Sequence, residues 1–153
     1  MLDVFVPSRR GRPEFSREIW LNCGGVATLQ SYGDLDNPKD IPDEHIAFLH
    51  SCRLFHETET HLFMHANYQP TRSLADQPAR ILLWESLRSD IPDPHISGKT
   101  AVVGHTSQKS GEVFDLGYLL CIDTYCYGGG WLTAIDVNTR QTWQANERAK
   151  VRR

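Results

Sequence analysis

The sequence has no apolar run approaching the roughly 20 residues that a membrane-crossing helix requires. It has no visible secretory leader either, because the opening stretch MLDVFVPSRRGRPEF breaks its short apolar run at Pro7. A strong charge of one sign is also lacking. The chain carries 16 basic and 19 acidic residues for a net −3, too mild for the electrostatic footprint of a nucleic-acid binder. Its four cysteines, Cys23, Cys52, Cys121 and Cys126, form no C-x-x-C pair, so paired zinc knuckles are excluded. Without a leader, reduced thiols in a cytoplasmic protein are expected. Internal repeats and low-complexity segments are absent. What remains is ordinary for a folded protein: 153 residues, 40% apolar and 23% charged, enough for one domain with a sizeable core.

The chain reads as helical first and β-rich later. Residues 1–18 and 146–153 are expected to be irregular. The stretch 20–33 reads as a short helix after Gly24-Gly25, stopped by Gly33. Asp34, Asp36 and Asp40 mark a solvated loop. A helix over 41–52 is expected from Pro42 in its first turn, Asp43 and Glu44 at its positive end, and an apolar face of Ile46, Phe48 and Leu49. Residues 53–58 and 60–66 predict an antiparallel hairpin. A helix ending before Ile91-Pro92 is expected within 73–90, and a strand over 99–105. The segments GEVFDLG, YLLCIDT, WLTAIDV and RQTWQA then predict a largely antiparallel β-meander across 99–145. Its inward face would carry Val103, Leu120, Ile122, Leu132 and Ile135. LLCI is apolar enough to be buried on both faces. Trp84 and Trp131 are expected in the core.

Two of these strand-like runs end in histidine, LFMHAN at His65 and VVGHT at His105. Strand ends in α/β sheets hold their loops on a rigid mount, and a neutral imidazole can offer one lone pair to a divalent ion. Gly104 would let the backbone approach a ligand closely. A histidine at a strand end is more often a hydrogen-bonded structural residue, and spacing alone favours that reading. His61 shares the parity of His65 and could face the same side.

The ordered stretches HLFMHAN, LADQPARILLWESL, PHISGKTAVVGHTSQKSGEV and CIDTYCYGGGWLTAIDV resemble the C-terminal half of calcineurin-like metallophosphoesterases. They are most similar to the bacterial serine/threonine protein phosphatase branch, with diadenosine tetraphosphatases as cousins. The motifs are H-A-G, L-L-W, G-H-T and I-D-T-G with G-G and L-T-A, and the resemblance covers roughly residues 20–145. It implies an α/β fold, a metallophosphoesterase-type β-sandwich flanked by helices. It also implies two divalent ions, manganese first with iron or zinc as options, sharing a bridging water that attacks phosphorus. His65 and His105 then match two ligands of the second ion. The implied activity is hydrolysis of phosphoserine, phosphothreonine or similar phosphomonoesters, on a phosphoprotein or a small phosphorylated compound.

The chain departs from the pattern in several places. G-D-x-H-G, G-D-x-x-D-R and G-N-H-[ED] do not occur in it. MLDVF resembles the residues that normally come just after G-N-H-E, so residues 1–153 are expected to form one partial domain, with a separate N-terminal half as a candidate partner. The leaving-group histidine would then lie upstream of Met1, leaving catalytic residues unknown here. H-A-G reads His65-Ala66-Asn67, where Asn tolerates a left-handed turn. I-D-T-G reads Ile122-Asp123-Thr124-Tyr125, with Asp123 and Thr124 expected in turn and supporting roles. Relatives often carry a phosphate-binding arginine two residues after the tryptophan of L-L-W. That position is Ser86 here, and Arg88, two residues later, is either a clamp or an exposed residue without a role. The rival readings are an inactive fragment or pseudo-enzyme that binds a partner, and a diadenosine tetraphosphatase-like hydrolase.

Overall fold

The structure, a computed structural model, describes residues 17–33 and 41–153. The expectations for 1–16 and for the Asp34–Asp40 loop lie outside the described residues. The chain divides into two compact units, Met1–Cys52 and Arg53–Arg153.

The first unit is helical. α1 (Arg17–Trp20) runs through a π-turn, Leu21–Gly25, into α2 (Val26–Tyr32). The joint is bent because Gly24 takes a φ of 99°, a conformation that costs glycine little. Its neighbour Gly25 must also be small, since a Cβ there would lie 2.6 Å from the Trp20 ring. Gly33 closes α2 with its N–H on the Leu29 carbonyl. α3 (Asp43–Ser51) starts after Pro42 and carries Asp43 and Glu44 in its first turn, where acidic groups offset the helix dipole. The apolar face expected of it is only half realised. Ile46 and Leu49 are half-buried, but Phe48 is 67% exposed.

The second unit holds two sheets. β1 (Phe55–Glu57) and β2 (His61–Met64) form the expected hairpin, Phe55 opposite Met64. Thr58 closes its turn, its N–H donating to the His61 carbonyl and its hydroxyl oxygen accepting the His61 N–H. A 3₁₀ turn at Leu74–Asp76 and the helix α4 (Ala79–Trp84) lead to β3 (Thr100–Val103), then β4 (Phe114–Asp115) and β5 (Leu119–Cys121). The sheet order is β1-β2-β3-β5-β4. After a 3₁₀ turn at Cys126–Gly128, β6 (Leu132–Ile135), β7 (Thr142–Ala145) and β8 (Val151–Arg152) build an antiparallel three-stranded sheet.

The α/β class expected from the sequence is what the structure shows, and β4–β5, β6–β7 and β7–β8 are antiparallel as expected, but the meander is corrected at β3. β3 pairs parallel with both β2 and β5. Each connection exceeds the dozen or so residues that a parallel return needs, and one carries α4, making a β-α-β unit. Parallel strands are covered on both faces. Leu62, Met64, Ala101, Val103, Leu119 and Cys121 share one face with Tyr68, Leu74, Leu82 and Leu87 in a single core cluster. Val102 and Leu120 point the other way and are also buried. Val103 and Leu120 are therefore buried on opposite faces rather than one. Leu132 is not inward at all, being 66% exposed. The helix expected within 73–90 is shorter than its apolar run, because Glu85 turns extended and the Leu87 N–H binds the Thr106 hydroxyl oxygen at 2.8 Å. The C-terminal stretch expected to be irregular contains β8. Its Arg152 stacks on Trp131 with the guanidinium 4.4 Å from the ring centroid, so Trp131 is a half-buried staple rather than core.

Candidate functional site at two strand ends

Parallel register decides where the two histidines meet. His61 pairs with Thr100 and Phe63 with Val102. Continuing that ladder puts His65 opposite Gly104, and the Gly104 N–H donates to the His65 carbonyl at 2.9 Å. His105 is one residue further. Its φ of 60° is left-handed, a conformation histidine adopts more readily than most residues. The ring centroids of His65 and His105 lie 5.0 Å apart at an interplanar angle of 63°. The structure thus brings together the two residues singled out from the sequence, at the C-terminal ends of adjacent parallel strands, where α/β folds build their crevices.

Trp84 belongs to the same cluster. Its ring is edge-on to His105, centroids 6.0 Å apart, and is 42% exposed. The expectation that Trp84 is core is therefore corrected. Helical rotation explains it. Leu82 points into the core, and Trp84, two residues on, is turned about 200° away from it. α4 is fixed at this spot because the Ala66 N–H donates to the Leu82 carbonyl at 2.8 Å.

Burial lowers the pKa of His65, and the neighbouring His105 lowers it further, while the Asp123 carboxylate acts in the opposite direction. His65 therefore favours the neutral imidazole, the form that can ligate a metal. Asp123 also forms the turn expected of it, its Oδ1 accepting the Tyr125 N–H at 3.1 Å.

The loop after His105 is held from several sides. The Thr106 hydroxyl oxygen accepts the Leu87 N–H and meets Ser86 Oγ at 3.2 Å. Gln108 donates its N–H to the Asp123 carbonyl and its Nε2 to the Thr106 carbonyl. Cys121 Sγ donates to the Thr106 carbonyl at 3.3 Å. Burial raises the Cys121 pKa, and all four cysteines are free thiols.

Arg88 has a structural partner. Its Nη2 donates to the Ser107 carbonyl at 2.9 Å, and it lines a concavity with Leu87, Ile91, Thr106, Ser107, Gln108 and Phe114. Neither histidine lines that concavity, so the structure sets Arg88 beside the His105 loop without joining it to the ring pair. Three smaller readings change. Asn67 is not left-handed. It fits because its Oδ1 accepts the Tyr68 N–H and its Nδ2 donates to the Asp90 carbonyl. A Cβ on Gly104 would make only ordinary contact, 3.5 Å from the His65 carbonyl, so space does not demand glycine there. His61 is buried at the far end of β2, bound to Thr60, and takes no part in the cluster.

The ring pair passes one test for a shared ion. A ring centroid lies about 3.2 Å from a metal bound at about 2.0–2.1 Å, so two such rings at tetrahedral to right-angle positions stand about 4.5–5.2 Å apart. The donor set is nevertheless incomplete. Among the described residues, no group of three or more His, Cys, Asp or Glu side chains is placed to hold an ion. Two neutral imidazoles leave the charge of a divalent cation uncompensated, so the described residues do not make a metal centre by themselves.

No protein-family model matches the sequence, and no curated protein matches it. Among solved structures it is similar to one named as the crystal structure of a "putative diadenosine tetraphosphatase", with a TM-score of 0.56 and 15% identity. The match covers 82% of this chain and 64% of that one. The likeness is one of fold, and it agrees with the metallophosphoesterase-type architecture that the motifs imply.

Proposed function

We propose that this chain carries part of a phosphoesterase site, in which His65 and His105 are two ligands of one of two divalent ions, manganese first among the candidates. The observation that carries the reading is the 5.0 Å convergence of two imidazoles at adjacent parallel strand ends, in a fold similar to that of a named phosphatase. Such ions, when bound, supply positive charge to the phosphoryl oxygens and acidify the water that attacks phosphorus. The residues of this chain position the pair. The sheet fixes both backbones, Trp84 walls His105, and Asp123 places a carboxylate near His65.

The proposed substrates are phosphoserine and phosphothreonine esters or small phosphomonoesters, the proposed setting cytoplasmic. Among the described residues no helix is long and apolar enough to cross a membrane. The likeness to the named structure gives a dinucleoside polyphosphate comparable standing as substrate. With two imidazoles and no carboxylate completing the set, the 153-residue chain alone should turn over an aryl phosphate little or not at all with manganese. A chain extended by a segment carrying G-D-x-H-G, G-D-x-x-D-R and G-N-H-E should hydrolyse it, and His105→Ala should remove most of that rate. Comparing diadenosine tetraphosphate with a phosphoserine peptide then separates the substrate classes. Manganese-dependent turnover by the 153-residue chain that survives His65→Ala and His105→Ala would contradict the proposal.

A further inference from the structure

Tyr127 is 81% exposed, yet it is not a loose side chain. Its hydroxyl lies 3.2 Å from Oγ of the buried Ser107. Its ring is braced edge-on by Tyr125, centroids 4.9 Å apart. Tyr125 is itself an outlier, held at a φ of 66°, a left-handed conformation that disfavours a bulky residue. Strain of this kind persists only where the surroundings impose it, and it collects at functional sites. Here the glycines leave room for it. The Tyr125 ring occupies the space that a Cβ on Gly128 would need, and Gly130 is packed against the Thr124 and Tyr125 backbone.

Two cations belong to the same neighbourhood. The Arg88 guanidinium donates to the carbonyl of Ser107, the residue whose side chain meets Tyr127. The Lys109 ammonium lies 5.8 Å from the Tyr125 centroid. An exposed aromatic ring in the turn after β5, tied through Ser107 to the loop that begins at His105 and near two cations, matches a ligand with a planar ring on one side and a phosphate on the other. We infer that Tyr127, braced by Tyr125, is a stacking subsite for a planar ring borne by the phosphorylated ligand, with Arg88 and Lys109 facing its phosphate. The ring can belong to a nucleobase or to a simple aryl group, and both offer the same π face. The inference rests on the reading of this strand end as a phosphate-handling site. Binding without turnover keeps the two separable, because it does not require a complete metal centre.

The experiment titrates the 153-residue chain, by calorimetry or by amide chemical shifts, with adenosine monophosphate, phenyl phosphate and inorganic phosphate. A stacked ring should tighten binding about tenfold or more over phosphate alone. Tyr127→Ala should bring the ring-bearing ligands down to the phosphate level while leaving phosphate itself unchanged. Tyr127→Phe, which keeps the ring, should retain most of the advantage. Arg88→Ala should weaken all three ligands alike. Tighter binding of the nucleotide than of phenyl phosphate assigns the subsite to a nucleobase, and equal binding assigns it to a simple aryl ring. The inference is overturned if ring-bearing ligands bind no better than phosphate, if nothing binds, or if the advantage survives Tyr127→Ala in a variant with native amide shifts.

Discussion

His65 and His105 stand with ring centroids 5.0 Å apart although they are 40 positions apart in the chain. The relationship is a consequence of register. β2 and β3 are parallel neighbours, so both strands deliver their last residues to one end of the sheet, and the Gly104 N–H bond to the His65 carbonyl locks the offset. An antiparallel pairing would have sent the two histidines to opposite ends.

The clamp on the His105 loop should be measurable as stability. Thr106 is buried, and its hydroxyl oxygen accepts the N–H of the buried Leu87. Thr106→Val keeps the volume but leaves that donor unpaired, so urea unfolding should show a loss of about 1–3 kcal/mol. Thr106→Ser, which keeps the oxygen, should lose clearly less. Equal losses would show that the methyl, not the hydrogen bond, matters at this site.

Two glycines in family-like motifs should behave oppositely. Gly104→Ala meets only ordinary contacts and should cost less than about 1 kcal/mol, within the scatter of a mild substitution. Gly130→Ala would press a Cβ to 2.3 Å from the Thr124 carbonyl, and it should cost about 1–3 kcal/mol or more through overpacking against backbone. Thermal melts of both variants check the contrast, and a reversed order would contradict the loop geometry.

Much of the fold and of the ring pair is legible in the sequence. The hairpin and the strand positions can be read from alternation and β-branched runs, whereas the pairing of His65 with His105 is implied only by the motif resemblance, since spacing alone favours a structural role for each. The parallel pairing is not legible, because LLCI and AVV are apolar throughout and carry no alternation to show which faces they bury. The exposure of Trp84 is written in the helical step from Leu82, but an aromatic at the end of an apolar run reads as core until the helix end is known. The brief helix α4 escapes because its stop is tertiary: Leu87 is captured by Thr106, nineteen positions away.

Stability should fall on the alkaline side. Burial raises the pKa of Tyr68, assisted by Tyr118 and Asp93, and burial raises that of Cys121. Both groups are held protonated in the folded state, so the unfolded chain releases protons first as pH rises. The stabilisation is fully present below the unfolded values, near 8.5 for a thiol and 10 for a phenol, and is lost progressively above them. Urea midpoints from pH 7 to 11 should decline above about pH 9. Tyr68→Phe, despite losing the bond to the Asp93 carbonyl, should decline less steeply above about pH 10. An unchanged slope would show that Tyr68 ionises in the folded protein without penalty.

The proposed function depends on His65 and His105 acting as one ligand pair. The direct measurement is a zinc titration of the 153-residue chain, followed through the imidazole ring nitrogens by long-range proton–nitrogen NMR. One nitrogen on each ring should shift over the same zinc range, weakly because only two donors are present, and His105→Ala should abolish the response at His65. Responses at different zinc concentrations, or a His65 response that persists in His105→Ala, would show two separate histidines and no shared site.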